Sequence, residues 1–402
     1  MTVRFGIDRL LDSGDVLARL RTSRVALVAN PASITAGLQH SVDALLAAGC
    51  NLVKAFGPQH GMRGDKQDNM IESDDYMDPE HAIPVISLYG KYRHPTREML
   101  EDTDIVLFDL QDVGCRIYTY ISTLKYFLEA CTKWSVELWV LDRPNPAGRP
   151  VDGLRLEPGH ESFVGCDCLP TRHGLTVGEL AGWMIDTHRY DLPLEVFRMH
   201  DYSMSEAPGY GWPLFVRPWI NPSPNASSVN MARCFPGTVL LEGTELSEGR
   251  GTSAPLELIG APDFSSREVV RNLEAQMPAW IEGAYLRHCY FEPTFHKLAG
   301  RLCEGVQVHT DTGNYAHHVF KPYRLIAGLL KSFRQLNPDY ALWRHHEYEY
   351  EPDRIPIDVI NGGPFFRNWV DDDAMGFDAL EQRLERELAA WTEERAPFLL
   401  YR

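Results

Sequence analysis

No apolar run in the 402-residue chain reaches the ~20 residues that a membrane-spanning helix needs. The N-terminal stretch MTVRFGIDRLLDSGD has no basic segment followed by a long apolar core, so no secretory signal is read there. The expectation is a cytoplasmic chain with no membrane partner. Basic surplus is also missing. The formal net charge is −17, which argues against a general nucleic-acid binder, because phosphate contacts need a basic face.

Several chemical signatures are absent as well. No Gly-x-Gly-x-x-Gly follows the first apolar strand VALVAN (25–30), and there is no Walker loop, so a dinucleotide or nucleotide cofactor is not implied. There is no His-Glu-x-x-His helix and no Gly-x-Ser-x-Gly elbow. The eight cysteines are scattered, and the one close pair, Cys166 and Cys168, has no second pair at zinc spacing. Reduced cytoplasmic thiols follow, with no metal and no cofactor expected.

What is present is ordinary for a globular protein: 44% hydrophobic and 24% charged residues. The first third alternates strand and helix. LVKAFG (52–57), IPVISLYG (83–90), DIVLFDLQDVG (104–114) and VELWVLDRPNP (136–146) read as buried strands. HSVDALLAAG, PTREMLED and YISTLKYFLEACTKW read as the helices between them. Continuous apolar strands separated by helices predict an α/β fold with a Rossmann-like parallel sheet. A loop-rich insertion covers about 147–230. FPGTVLLEG opens 235–262 as a strand, and a long glycine-rich loop follows. From 263 the composition shifts to a smaller C-terminal α+β auxiliary domain, with strands around a turn in 290–310 and a helix over 317–336. The first domain is thus expected to run from 1 to 262.

The polar motifs fall at the carboxyl ends of the strands, the edge where open α/β sheets bind ligands. FGPQHGMRGDKQDN (56–69) places Gln59, His60, Arg63 and Asp65 on a turn straight off a strand. LQDVGCRIYTYIST (110–123) offers Asp112, Arg116, Tyr118 and Tyr120, and tyrosine hydroxyls and an arginine fork suit sugar hydroxyls and carboxylates. LDRPNP with Asn145 reads equally as a site or as an Asx turn. His173 is a further candidate, beside a capping box of Thr176 and Glu179. Asn225 lies in the Pro/Asn/Ser loop 221–228. Glu248 and Arg250 stand in EGTELSEGRGT, whose glycines suit close backbone approach to a ligand. The inventory is one of carboxylates supported by His, Tyr and Arg, which points to glycoside hydrolysis.

Ten motifs in order carry a resemblance over the chain from about residue 5 onward. They are FGPQHGMRG, PVISLYGKYRHPT, FDLQDVGCRIYTYIST, VLDRPNP, SFVG, RHGLTVGELA, SPN, LLEGTELSEGRGT, ELIGAP and FEPTFHKLAGRLCEGVQV. Together they resemble the NamZ-type exo-β-N-acetylmuramidases, also called YbbC-like proteins. The resemblance implies a Rossmann-like catalytic domain, a smaller auxiliary domain and a cleft between them. It implies release of N-acetylmuramic acid from non-reducing ends of peptidoglycan fragments. A small-molecule carbohydrate, a muropeptide or amino-sugar disaccharide, is then the expected partner, and homo-oligomerisation stays open.

The resemblance also exposes a departure. The family turn reads Pro-Glu-His-Gly, with that Glu as the favoured catalytic carboxylate, whereas this chain has Gln59. An amide cannot donate a proton as an acid does. Three readings follow. Another carboxylate such as Asp65, Glu72, Asp112 or Glu248 does the work; the substrate's 2-acetamido group assists while Gln59 holds it; or the chain acts on another sugar or only binds one. The expected roles are positioning by Gln59 and His60, and acid and counter-charge from Asp112 and Glu248. Tyr118 and Tyr120 would steady the ring, and Arg63, Arg116 or Arg250 would take the lactyl carboxylate. Asp65, Asn145, His173 and Asn225 complete the binding set.

Overall fold

The computed structural model describes residues 3–64 and 71–401. Seven strands form the main sheet: β1 (Val25–Ala29), β2 (Leu52–Gly57), β3 (Tyr76–Met77), β4 (Pro84–Ser87), β5 (Ile105–Asp109), β6 (Glu137–Leu141) and, after a small hairpin, β9 (Leu194–Phe197). The hairpin pairs β7 (Asp152–Arg155) with β8 (Pro170–Arg172). The sheet order is β3-β4-β2-β1-β5-β6-β9, and every pairing is parallel except β3 with β4. This is the Rossmann-like sheet that the sequence predicts.

The central strands are buried along their whole length because both faces are covered. Alternate residues face opposite cores. Ala26, Val28, Val106, Phe108, Leu138 and Val140 pack under the helix Tyr120–Trp134 and the helix Val177–His188. Val25, Leu27, Ile105, Leu107, Trp139 and Leu141 pack in the other layer with Leu10, Leu20 and Leu45. Each buried Val, Leu, Ile or Phe among them contributes about 1.5–3 kcal/mol by leaving water. The Thr176–Glu179 capping box forms as expected, with Glu179 N donating to Thr176 Oγ1 at 3.3 Å and Thr176 N to Glu179 Oε2 at 2.9 Å.

The second layer is an antiparallel sheet, β10 (Leu258–Ala261), β12 (Cys303–His309) and β11 (Tyr285–Phe291), in the order β10-β12-β11. The helix Pro322–Leu336 packs on it, with Pro322 in the first turn. One expectation changes here. FPGTVLLEG is not a strand: residues 229–238 form a helix and 239–243 a 3-10 turn. TVLL is apolar on every side because it is buried on every side, and a strand and a buried helix then share one pattern. Strand β10 pairs with β12, so residues 258–261 lie in the second sheet.

The two layers are sewn together by the last helix, Phe377–Arg395. Trp391 meets Trp183 edge to face at 5.2 Å, and the Tyr401 hydroxyl donates to Asp142 at 2.7 Å.

Candidate active site

The pocket opens over the carboxyl ends of β2 and β5, where the second layer closes on the first sheet. About 560 Å³ of space lies between its walls, part of it open to solvent. From the first layer come Gln59, His60, Tyr118, Thr119, Tyr120, Ser223 and Asn225. From the second come Glu242, Arg250, Tyr348 and Glu349, with Met231, Phe235 and Val239 as apolar lining.

The turn after β2 aims the first pair. Gly61 N bonds Pro58 O at 2.8 Å, closing a tight turn around Gln59 and His60. His60 takes φ +70°, a left-handed conformation that a turn of this kind usually gives to Gly or Asn. Strain of this order, about 1 kcal/mol, is characteristic of functional sites. Gln59 is held at both ends. Its Oε1 accepts from Thr119 Oγ1 at 2.8 Å, and its Nε2 donates to Glu349 Oε1 at 3.0 Å. The other Glu349 oxygen accepts from the Tyr89 hydroxyl at 2.9 Å.

Burial dominates the titration of Glu349. It pushes the carboxyl up to about 7, against the bonds from Tyr89 and Gln59, and the nearby Glu242 adds to the rise. Glu349 is 5% exposed. Glu242 has a different setting: Arg250 donates to its Oε1 at 2.7 Å and Tyr348 to its Oε2 at 2.8 Å. The pocket therefore holds one carboxyl among neutral donors and one paired with a guanidinium.

Tyr118 and Tyr120 pack edge to face at 4.7 Å, and their hydroxyls fix the 221–226 loop. Tyr118 donates to Ser223 Oγ and Tyr120 to Pro222 O, both at 2.8 Å. That loop carries Asn225 into the pocket wall.

The structure thus brings together Gln59, His60, Tyr118, Tyr120, Asn225 and Arg250. Other expected residues serve different purposes. Glu248 is not on the pocket wall. It lies buried among Lys297 at 2.6 Å, Arg250 at 3.2 Å and His296 at 3.4 Å. Burial alone would raise its pKa, yet Lys297 and Arg250, with His296 beside them, bring it down to about 2, so it is a fixed counter-charge rather than a proton donor. Asp112 is also off the pocket wall: its Oδ2 accepts from Gly114 N at 2.6 Å and lies 3.8 Å from His173 Nε2. His173 is fully buried and accepts from Leu175 N.

Arg116 is likewise committed, donating to the carbonyls of Leu154, Leu169, Ile360 and Asn361 at 2.7–3.0 Å. Arg63 pairs with Asp78 and lines a separate depression with His40 and His81. Asn145 makes the Asx turn, accepting from Ala147 N and donating to Leu175 O. It lies so close to Gly114 (φ +80°) that a Cβ there would come within 2.1 Å of Asn145 Oδ1. Asp65 falls outside the described residues.

The pocket also holds Glu349, Glu242 and Tyr348, with Tyr89 behind Glu349, none of which the sequence reading named as candidates. The faint signal of Tyr348 and Glu349 is EYEYE (347–351), an acidic run interleaved with tyrosines that reads more simply as surface; Glu242 and Tyr89 stand in LLEGTELSEGRGT and PVISLYGKYRHPT.

Comparison with known proteins identifies the family. The family model described as "Exo-beta-N-acetylmuramidase NamZ, N-terminal" matches residues 25–230, and the C-terminal model matches 233–401. The chain is 36% identical over 402 residues to the peptidoglycan β-N-acetylmuramidase NamZ of Bacillus subtilis (strain 168), covering 99% of this chain and 91% of that protein. Crystal structures of two DUF1343 family proteins of Bacteroides fragilis are similar over the full chain and 99% of theirs. Their TM-scores are 0.84 and 0.76, at 27% and 25% identity. With the two family models matching residues 25–230 and 233–401, and a relative 36% identical over nearly the whole chain, the chain belongs to the exo-β-N-acetylmuramidase NamZ family.

Proposed function

We propose that this protein is a glycoside hydrolase that removes N-acetylmuramic acid from the non-reducing ends of peptidoglycan fragments. One observation carries the reading. The polar wall of the pocket holds two buried carboxyl groups, Glu349 and Glu242, in contrasting environments, beside Arg250 and two tyrosines. Glycoside hydrolysis uses such a pair, one as acid and one as charged partner. Arg250 is the one arginine of the three expected that lines the pocket, and it suits the lactyl carboxylate of a muramic acid.

Gln59 and His60 position the sugar, Tyr118 and Tyr120 flank its ring, and Asn225 meets its hydroxyls. The partner is a small carbohydrate, a muropeptide or disaccharide, and the setting is intracellular reuse of cell-wall material. No helix among the described residues is long and apolar enough to cross a membrane.

The test is hydrolysis of a chromogenic β-N-acetylmuramide by the wild type beside Gln59→Glu, with the N-acetylglucosaminide as control. The expected result is turnover of the muramide by the wild type and little of the glucosaminide. Tight muramic acid binding with no turnover would overturn the hydrolase reading in favour of a sugar-binding protein, the alternative that Gln59 raises.

A further inference from the structure

Gln59 sits where a carboxylate would be the obvious chemical tool, and an amide cannot give up a proton there. Its neighbour can. Glu349 reaches Gln59 from a segment 290 residues away and meets the pocket at the same point. We propose that Glu349 is the catalytic acid and base of this chain, with Gln59 and Tyr89 as the residues that position it. This rests on the hydrolase reading above and says which group moves the proton.

The hydrogen bonds fit that division of labour. Each Glu349 oxygen accepts one bond, from Gln59 Nε2 on one side and the Tyr89 hydroxyl on the other. A carboxyl oxygen has room for more than one partner, so a proton on Glu349 need not compete with either. Thr119 fixes the far end of Gln59 and so sets which way the amide presents its N–H. A carboxylate at position 59 would instead put two acids about 3 Å apart, and one would have to stay protonated. The amide removes that conflict and leaves a single titrating group.

The surroundings let that group hold its proton closer to neutral pH than an ordinary carboxyl does. The charged and titratable groups facing Glu349 are Tyr89 and Arg93 near β4, His60 beside Gln59, and Glu242 and Arg250 across the pocket. Its own segment adds Tyr348, Tyr350 and Glu347, and Glu72 closes the outer side. Burial outweighs the bonds that favour ionisation, and the carboxyl is pushed up to about 7. A group near the ambient pH is efficient in both directions of transfer.

The step balances. The proton passes from Glu349 to the glycosidic oxygen as the C1–O bond breaks, and that bond's electron pair goes to the departing oxygen. Water then bonds C1 through its oxygen and returns one proton to the Glu349 carboxylate. The net change is addition of water across one glycosidic bond, with the acid restored.

The test compares wild type with Glu349→Gln, Glu349→Asp and the double variant Gln59→Glu/Glu349→Gln. Substrates are a muramic acid disaccharide and a nitrophenyl muramide, and binding of free N-acetylmuramic acid is measured alongside. Glu349→Gln should still bind the sugar yet lose about 10²–10⁴-fold in kcat on the disaccharide. The loss should be much smaller on the nitrophenyl substrate, whose leaving group needs little protonation. The fall in wild-type activity as pH rises through about 7 should vanish in the variant. Glu349→Asp and the double variant, which returns a carboxyl to the same contact, should each recover part of the activity.

Disaccharide turnover by Glu349→Gln within a few-fold of wild type overturns the assignment and leaves the hydrolase reading standing. Wild-type inactivity on both substrates overturns both. Joint loss of sugar binding and activity in Glu349→Gln, with no recovery in Glu349→Asp or the double variant, makes Glu349 structural and overturns the assignment.

Discussion

Gln59 Nε2 and Glu349 Oε1 lie 3.0 Å apart, across the join between the parallel sheet and the second layer. That hydrogen bond fastens the strand-end turn to a segment from the far end of the chain. It also makes ionisation of Glu349 a property of the assembled protein, because burial that raises the carboxyl exists only when the layers meet.

Stability should therefore depend on pH through Glu349. Its carboxyl moves from an ordinary 4.5 to about 7 on folding. The folded form holds the proton more tightly, so the contribution is present in full below pH ~4.5 and is lost as pH rises to about 7. The sum is about 3 kcal/mol. Glu349→Gln does not titrate. Denaturant melts at a series of pH values should show the variant gaining on wild type by up to that amount between pH ~4.5 and ~7.

Glu248 behaves in the opposite sense. Its folded pKa is depressed from 4.5 to about 2, so its contribution is present above pH ~4.5 and lost as pH falls towards 2. Glu248→Gln leaves Lys297 and Arg250 buried with one partner fewer. A loss of about 3–5 kcal/mol in urea-derived stability at pH 7 is expected. The folded fraction should keep kcat within about tenfold of wild type.

Arg116→Lys should not be conservative. One guanidinium satisfies four buried carbonyls on three segments, and an ammonium has neither the reach nor the planar fork. Unpaired buried carbonyls cost about 1–3 kcal/mol each. Thermal unfolding should show a loss of at least about 2 kcal/mol, with the KM of the remaining folded protein nearly unchanged.

Tyr118→Phe should do the reverse. It removes the bond that holds Ser223 in the loop bearing Asn225, while the ring packing against Tyr120 and Phe235 remains. A net hydrogen bond of about 1 kcal/mol predicts a KM roughly fivefold higher. The melting temperature should fall by only a few degrees. An unchanged KM would mean that the loop does not hold the sugar.

The parts of the fold that sequence determined are those set by local chemistry. Alternating apolar strands and amphipathic helices declare a parallel sheet because each strand must be buried on both faces wherever its neighbours lie. The helix 120–134, the capping box at Thr176 and the strand 303–309 follow from the same local rules, whereas the strand 285–291 lies mostly ahead of the 290–310 span expected for it. So does the gathering of polar motifs at the strand ends, since each sits next to its own strand. Where a segment is buried all round, as in 235–243, period alone could not tell strand from helix.

Tertiary structure decided which polar residues share the pocket. LQDVGCRIYTY shows Asp112, Arg116 and Tyr118 as equals, yet one bonds a backbone amide, one bonds four carbonyls and one reaches the pocket. Glu248 and Glu349 are both buried glutamates, and their opposite shifts come from neighbours: two cations and a histidine for one, an amide and a phenol for the other. Arg250 is two residues from Glu248, but Lys297 and His296, and both partners of Glu349, are brought in by folding from distant parts of the chain. Desolvation and pairing act through space, so the amide at position 59 acquired its meaning only when Glu349 was placed against it.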